Sequence, residues 1–140
     1  MSVSSVELVA IAQAAASRAY CPYSGFHVGA ALLTEEGDVF SGCNVENVSF
    51  GLTNCAERTA VYAAVAAGRR RFRAIAIVQG ATGGRPPGEE PCWPCGACRQ
   101  VLAEFNPQLE VVFQGAEGPR TMSLAELLPH SFDAARLQAR

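Results

Sequence analysis

Two short cysteine-bearing segments constrain this chain more than any other feature: Cys55-Ala-Glu57 and Pro94-Cys95-Gly-Ala-Cys98. Each opens a run of helix-forming residues. Cys95 and Cys98, spaced i,i+3 on a first helical turn, point to one side and can grip a single metal ion. Pro94 suits the opening of that helix, because no amide hydrogen is needed there. The helix dipole and the free amides of the first turn favour two thiolates. Cys55, at the start of the other helix, supplies a third sulfur. A fold that uses all three must bring two helix N-termini together from distant parts of the chain.

Three protein ligands with one open position is the pattern of a catalytic zinc ion, whereas structural sites usually close with four. Glu57, still in the first turn, can face the open position without ligating and can carry a proton between water and a substrate. Arg58 is the nearest basic residue and can offset the charge of three thiolates by hydrogen-bonding their sulfurs. Cys-x-Glu followed by Pro-Cys-x-x-Cys is the zinc nucleobase-deaminase signature in its three-cysteine form. Cys92 extends the second motif to Cys92-x-x-Cys95-x-x-Cys98. Two rival readings follow from it: a non-catalytic zinc module closed by Cys92, and an iron–sulfur centre. Cys21 and Cys43 lack any ligand spacing and read as small buried hydrophobes.

The rest of the chain sets where these helices lie. Residues 4–18 read as a helix with Ser4 or Ser5 as N-cap. Segments 26–34 and 38–43 read as strands around a turn at Glu36-Gly37. The stretch 44–54 is irregular and polar. A helix over 55–68 has Thr53 or Asn54 as cap and Gly68 as stop. RFRAIAIVQG (71–80) reads as a strand buried on both faces. Then come a loop over 81–91, a helix over 96–106, a strand over 109–115 and a short helix over 124–128. Strands alternating with helices after a hairpin imply an α/β fold, a mixed sheet with helices on both faces. Sites in such sheets form at strand ends where helices begin.

Composition narrows the function. The chain has 140 residues and no evident linker, which predicts one domain over 1–140. All 11 basic residues are arginine, which excludes a Schiff-base lysine and a Walker A phosphate loop. Two histidines exclude a three-histidine zinc site within one chain. A net charge of -2 argues against a polynucleotide partner or a membrane surface. The N-terminus has no basic segment, and Glu7 interrupts its apolar stretch, so the expected compartment is the reducing cytoplasm.

Three stretches carry a specific resemblance: CPYSGFHVGAAL (21–32), GCNVENVSFGLTNCAERTAV (42–61) and PCGACRQVLAEF (94–105). With LLPHSF (127–132) they resemble, in order and over nearly the whole chain, the small homotetrameric zinc-dependent cytidine deaminases. The resemblance implies a three-layer αβα fold with a mixed five-stranded sheet. It implies one Zn²⁺ per chain on Cys55, Cys95 and Cys98, with Glu57 as proton shuttle. It places Phe26, Asn44 and Glu46 in a nucleoside pocket, Ala56 with its backbone at the pyrimidine edge, and Phe132 over the base of a neighbouring subunit. The expected reaction is hydrolytic deamination of cytidine and deoxycytidine in pyrimidine salvage, with a related aminonucleoside such as blasticidin S as the alternative substrate. Phe50 stands where the family often has tyrosine, and Trp93 where it commonly has a small residue.

Overall fold

Phe72–Gln79 is buried along nearly its whole length, as its mostly apolar sequence requires, with Arg73 exposed. It is strand β3, the middle of a five-stranded sheet in the computed structural model, which describes residues 3–80 and 91–138. Around it lie β1 (Val28–Thr34), β2 (Val39–Cys43), β4 (Glu110–Gly115) and β5 (Gly118–Ser123), in the order β2-β1-β3-β4-β5. Only β3 and β4 pair in parallel; the other neighbours are antiparallel. The loop expected over 81–91 lies outside the described residues except for Pro91.

The sheet separates two apolar layers. Ala30 and Leu32 of β1, Ile75 and Ile77 of β3, and Val111 and Phe113 of β4 face α2 (Ala56–Ala66) and α3 (Gly96–Phe105). The alternate residues Ala31, Leu33, Ala74, Ala76, Val78 and Val112 face α1 (Ser5–Ala16). The expected mixed sheet in three layers, helix on both faces, is therefore the observed fold. Alternation sorts side chains onto the two faces, and each face is covered by a helix.

Two glycines fix how close the helices come. A Cβ on Gly42 would stand 2.5 Å from the Ala60 nitrogen and 2.6 Å from the Ala56 oxygen, so α2 lies directly on β2. On the other face, a Cβ on Gly29 would stand 1.9 Å from the Ala12 oxygen of α1.

The structure departs from the sequence expectations mainly at boundaries. Ser4 does cap α1, its side chain accepting from the Glu7 amide. The cap of α2 is Cys55 itself and not Thr53 or Asn54. The stretch 26–27 precedes β1 rather than opening it. Residue-level patterning had shown only four strands, and β5 is the fifth that the resemblance implied. Gly-Pro-Arg-Thr-Met-Ser is an edge strand with two exposed residues and a proline, so it lacks an apolar alternation to detect. Two short helices, α4 (Leu124–Leu127) and α5 (Ala135–Gln138), close the described chain. No described helix is long and apolar enough to cross a membrane.

Candidate active site

The N-termini of α2 and α3 meet at one edge of their layer. Cys55 is the N-cap of α2 and Cys95 the N-cap of α3, with Cys98 in the first turn of α3. The three sulfurs lie within 4.8 Å of one another, and the Cys55 and Cys95 sulfurs are 3.9 Å apart. Tetrahedral zinc with bonds of about 2.3 Å to sulfur separates its sulfurs by about 3.8 Å. Donor type and spacing therefore both fit zinc. Cys92 is not in this group, so the described residues offer three sulfurs and not four. Its half-buried thiol is pushed up to about 12, first by burial and then by the Glu57 charge.

Electrostatics distinguish the sulfurs. Contact with the Cys98 thiol, and then the Arg58 guanidinium, lower Cys55 to about 5, so it holds negative charge more readily than Cys98. The same contact raises Cys98. Arg58 donates from Nη2 to the Cys55 sulfur at 3.1 Å. Its Nε is buried and has no hydrogen-bond partner among the described residues. Glu57, one residue earlier, is 4% exposed. Burial raises its carboxyl above the usual range, and the neighbouring Cys55 charge pushes the same way.

Cys55, Cys95 and Glu57 open onto a cavity of ≈ 590 Å³, with Cys98 and Arg58 outside its lining. Phe26, Asn44, Glu46, Ala56, Glu57, Cys55 and Cys95, all expected from the sequence, line it together. Asn44 is buried where β2 ends. Its Nδ2 donates to the Phe26 carbonyl at 2.8 Å and its Oδ1 accepts from the Val28 amide at 2.9 Å. Each end of the amide keeps further hydrogen-bonding capacity. One oxygen of Glu46 accepts from the amides of Tyr23 (3.0 Å) and Ser24 (3.1 Å), and the other accepts from the Ser24 hydroxyl. The Ser24 hydroxyl, and then the two amides, hold the Glu46 carboxyl below its usual value. The irregular stretch carrying Asn44 and Glu46 is pinned on both sides: Val45 and Asn54 exchange backbone hydrogen bonds, and the Glu46 amide donates to the Tyr20 carbonyl.

Phe132 does not line this cavity; it is 61% exposed, with its carbonyl accepting from Gln100 Nε2 at 2.8 Å. Sequence reasoning missed Val28, Thr53, Asn54 and Gln79 as wall residues. Nothing in their type marks them; the pairing of Val28 with Gln79 puts the two side by side in the cavity wall. Arg99 was also missed. It donates to the carbonyls of Pro94 (2.9 Å) and Leu127 (2.7 Å), bracing the turn that carries Cys95.

Three cysteine sulfurs set for one metal ion, with a buried carboxyl group beside them at a nucleoside-sized cavity, define a mononuclear metal-dependent hydrolase for a small molecule. Comparison with known proteins narrows the class. Residues 3–114 match the family model described as the cytidine and deoxycytidylate deaminase zinc-binding region. The cytidine deaminase of Sporosarcina psychrophila is 46% identical over 128 residues, covering 90% of this chain and 89% of that one. The enzyme of the same name from Halalkalibacterium halodurans is 49% identical over 118 residues, covering 83% and 84%. A crystal structure of cytidine deaminase from Burkholderia pseudomallei superposes with a TM-score of 0.79 at 52% identity, covering 89% of this chain and 96% of that one. The chain belongs to the cytidine and deoxycytidylate deaminase family.

Proposed function

We propose that the protein is a cytidine deaminase, converting cytidine and deoxycytidine to uridine and deoxyuridine with release of ammonia. The observation that carries this reading is the trio of sulfurs facing one buried carboxylate inside a cavity of nucleoside size. Cys55, Cys95 and Cys98 hold one zinc ion per chain. When bound, zinc supplies Lewis acidity that brings the ionisation of water toward neutral pH.

Glu57 moves the protons. Burial raises its carboxyl, which suits it to accept a proton and hand it on. It takes a proton from the attacking water and delivers it to ring N3, which makes C4 electrophilic. The water oxygen bonds to C4. Glu57 then takes the proton of the new C4 hydroxyl and passes it to the 4-amino group, the C4–N bond breaks as the C4 carbonyl forms, and ammonia leaves. Arg58 drains negative charge from Cys55 through its hydrogen bond.

Asn44 and Glu46 take the ribose hydroxyls, where a paired polar site rejects a molecule lacking the sugar. Phe26 packs on the nucleoside, and the free amide of Ala56 at the start of α2 meets the pyrimidine edge. Phe132, exposed and outside its own chain's cavity, covers the base in a neighbouring copy. The exposed apolar side chains of Tyr20, Tyr23, Val48, Phe50 and Leu52 support such an assembly, a homotetramer of single-domain chains. The place of this reaction is cytoplasmic pyrimidine salvage.

Glu57→Gln tests the reading. It should keep one zinc per chain and lose about 10²–10⁴-fold in kcat for cytidine, followed by loss of absorbance. A zinc-loaded variant working at the wild-type rate would overturn the assignment.

A further inference from the structure

The cavity has two chemically distinct ends. Asn44, Glu46 and Ser24 make one polar end, and Cys55, Glu57 and Cys95 make the reacting end. A cytidine with its sugar at the first must put C4 and the 4-amino group at the second. The wall there includes Trp93, two residues before Cys95. Its ring centroid is 4.7 Å from that of Phe113, with the planes at 53°. Phe113 is 2% exposed and belongs to the core beneath α2 and α3. The indole therefore rests on a part of the molecule that cannot yield to make room. Its other side is open: Trp93 is 49% exposed.

We infer that Trp93 is a specificity-determining wall of this site, closing the space beside the 4-amino group against alkylated cytidines. This rests on the deaminase reading, because the orientation of the substrate comes from it. Deamination itself needs no such wall, whereas a methyl group on the amine would have to enter the volume held by the indole. A rigid pocket discriminates by about 10–200-fold for one misplaced methyl-sized group.

The test compares kcat/KM for cytidine and N4-methylcytidine in the zinc-loaded wild type, Trp93→Ala and Trp93→Phe. The wild type should favour cytidine at least about 10-fold. Trp93→Ala should shrink that ratio by about 10-fold or more. Trp93→Phe keeps a ring on Phe113 with less reach and should fall between them. It also carries the comparison if the alanine variant does not fold.

A binding readout is independent of turnover. Trp93 is the single tryptophan of the chain, so its emission in Glu57→Gln should change on titration with cytidine. N4-methylcytidine should need at least about 10-fold higher concentration for the same change. An unchanged ratio in both Trp93 variants, or emission indifferent to saturating cytidine, overturns the inference. A wild type that leaves cytidine intact overturns the deaminase reading instead, and the emission titration still reports whether the indole lies against the nucleoside.

Discussion

Arg58 shows how much one side chain contributes around the three sulfurs. Its guanidinium donates to Cys55 at 3.1 Å, and its buried Nε finds no partner among the described residues. A partly buried cation in that position is tolerated because thiolate charge faces it. Arg58→Gln should therefore weaken zinc retention by about 10–100-fold, measured by competition with a chelator. Unchanged retention would show that the sulfurs need no external charge compensation. Glu46 gives a pH dependence with a definite sign. Its carboxyl is held below the usual value by Ser24 and two amides, so the ionised form contributes stability in the folded state. That contribution is present above the unfolded value of about 4.3 and is lost as pH falls through the lower folded value. The difference in Tm between wild type and Glu46→Gln should thus be largest near pH 6 and shrink below pH 4. A difference constant with pH would mean that the carboxylate is not held by these donors.

At the scale of elements, the site depends on where two helices begin. Cys55 and Cys95 were legible as helix-start residues because proline, small residues and cysteine spacing mark such turns. The precise cap was not: Thr53 and Asn54 are better capping types than Cys55, yet Asn54 is committed to backbone pairing with Val45. Tertiary pairing thus overrides local capping preference. The height of α2 above the sheet is set by Gly42, whose missing Cβ leaves room for the Ala56 and Ala60 backbone. Gly42→Ala must push α2 outward, carrying Ala56 and Glu57 with it. It should cost about 1–3 kcal/mol and lower Tm by roughly 4–12 °C, read by thermal melting. An unshifted melt would mean that α2 is not seated on β2 as tightly as these contacts require.

For the whole molecule, the exposed apolar residues matter as much as the buried ones. Val48, Phe50 and Leu52 are more than 70% exposed, and Tyr23 and Phe50 stack edge to face at 5.8 Å across the outside of the pocket. An apolar surface beside the cavity mouth is costly in water unless another chain covers it. In the proposed tetramer it is covered. Val48→Asp with Leu52→Asp should shift the sedimenting mass from four chains to fewer and reduce cytidine turnover along with it. A wild type that sediments as a monomer at micromolar concentration would remove the tetramer from the proposal.

Much of the chemistry was present in the linear order of residues. The spacing Cys-x-Glu and Pro-Cys-x-x-Cys determines which atoms can bind metal and which can carry a proton, because ligand type and helical periodicity are local properties. The mostly apolar run of β3 likewise announced a strand buried on both faces. What only the tertiary structure decided is contact between parts distant in sequence. The 3.9 Å approach of Cys55 to Cys95, the clamp of Asn44 on Phe26 and Val28, and the seat of Trp93 on Phe113 all span separate elements. The exposed edge strand β5 was also left to the fold, since a strand with little apolar surface is held by its neighbour and not by its own pattern.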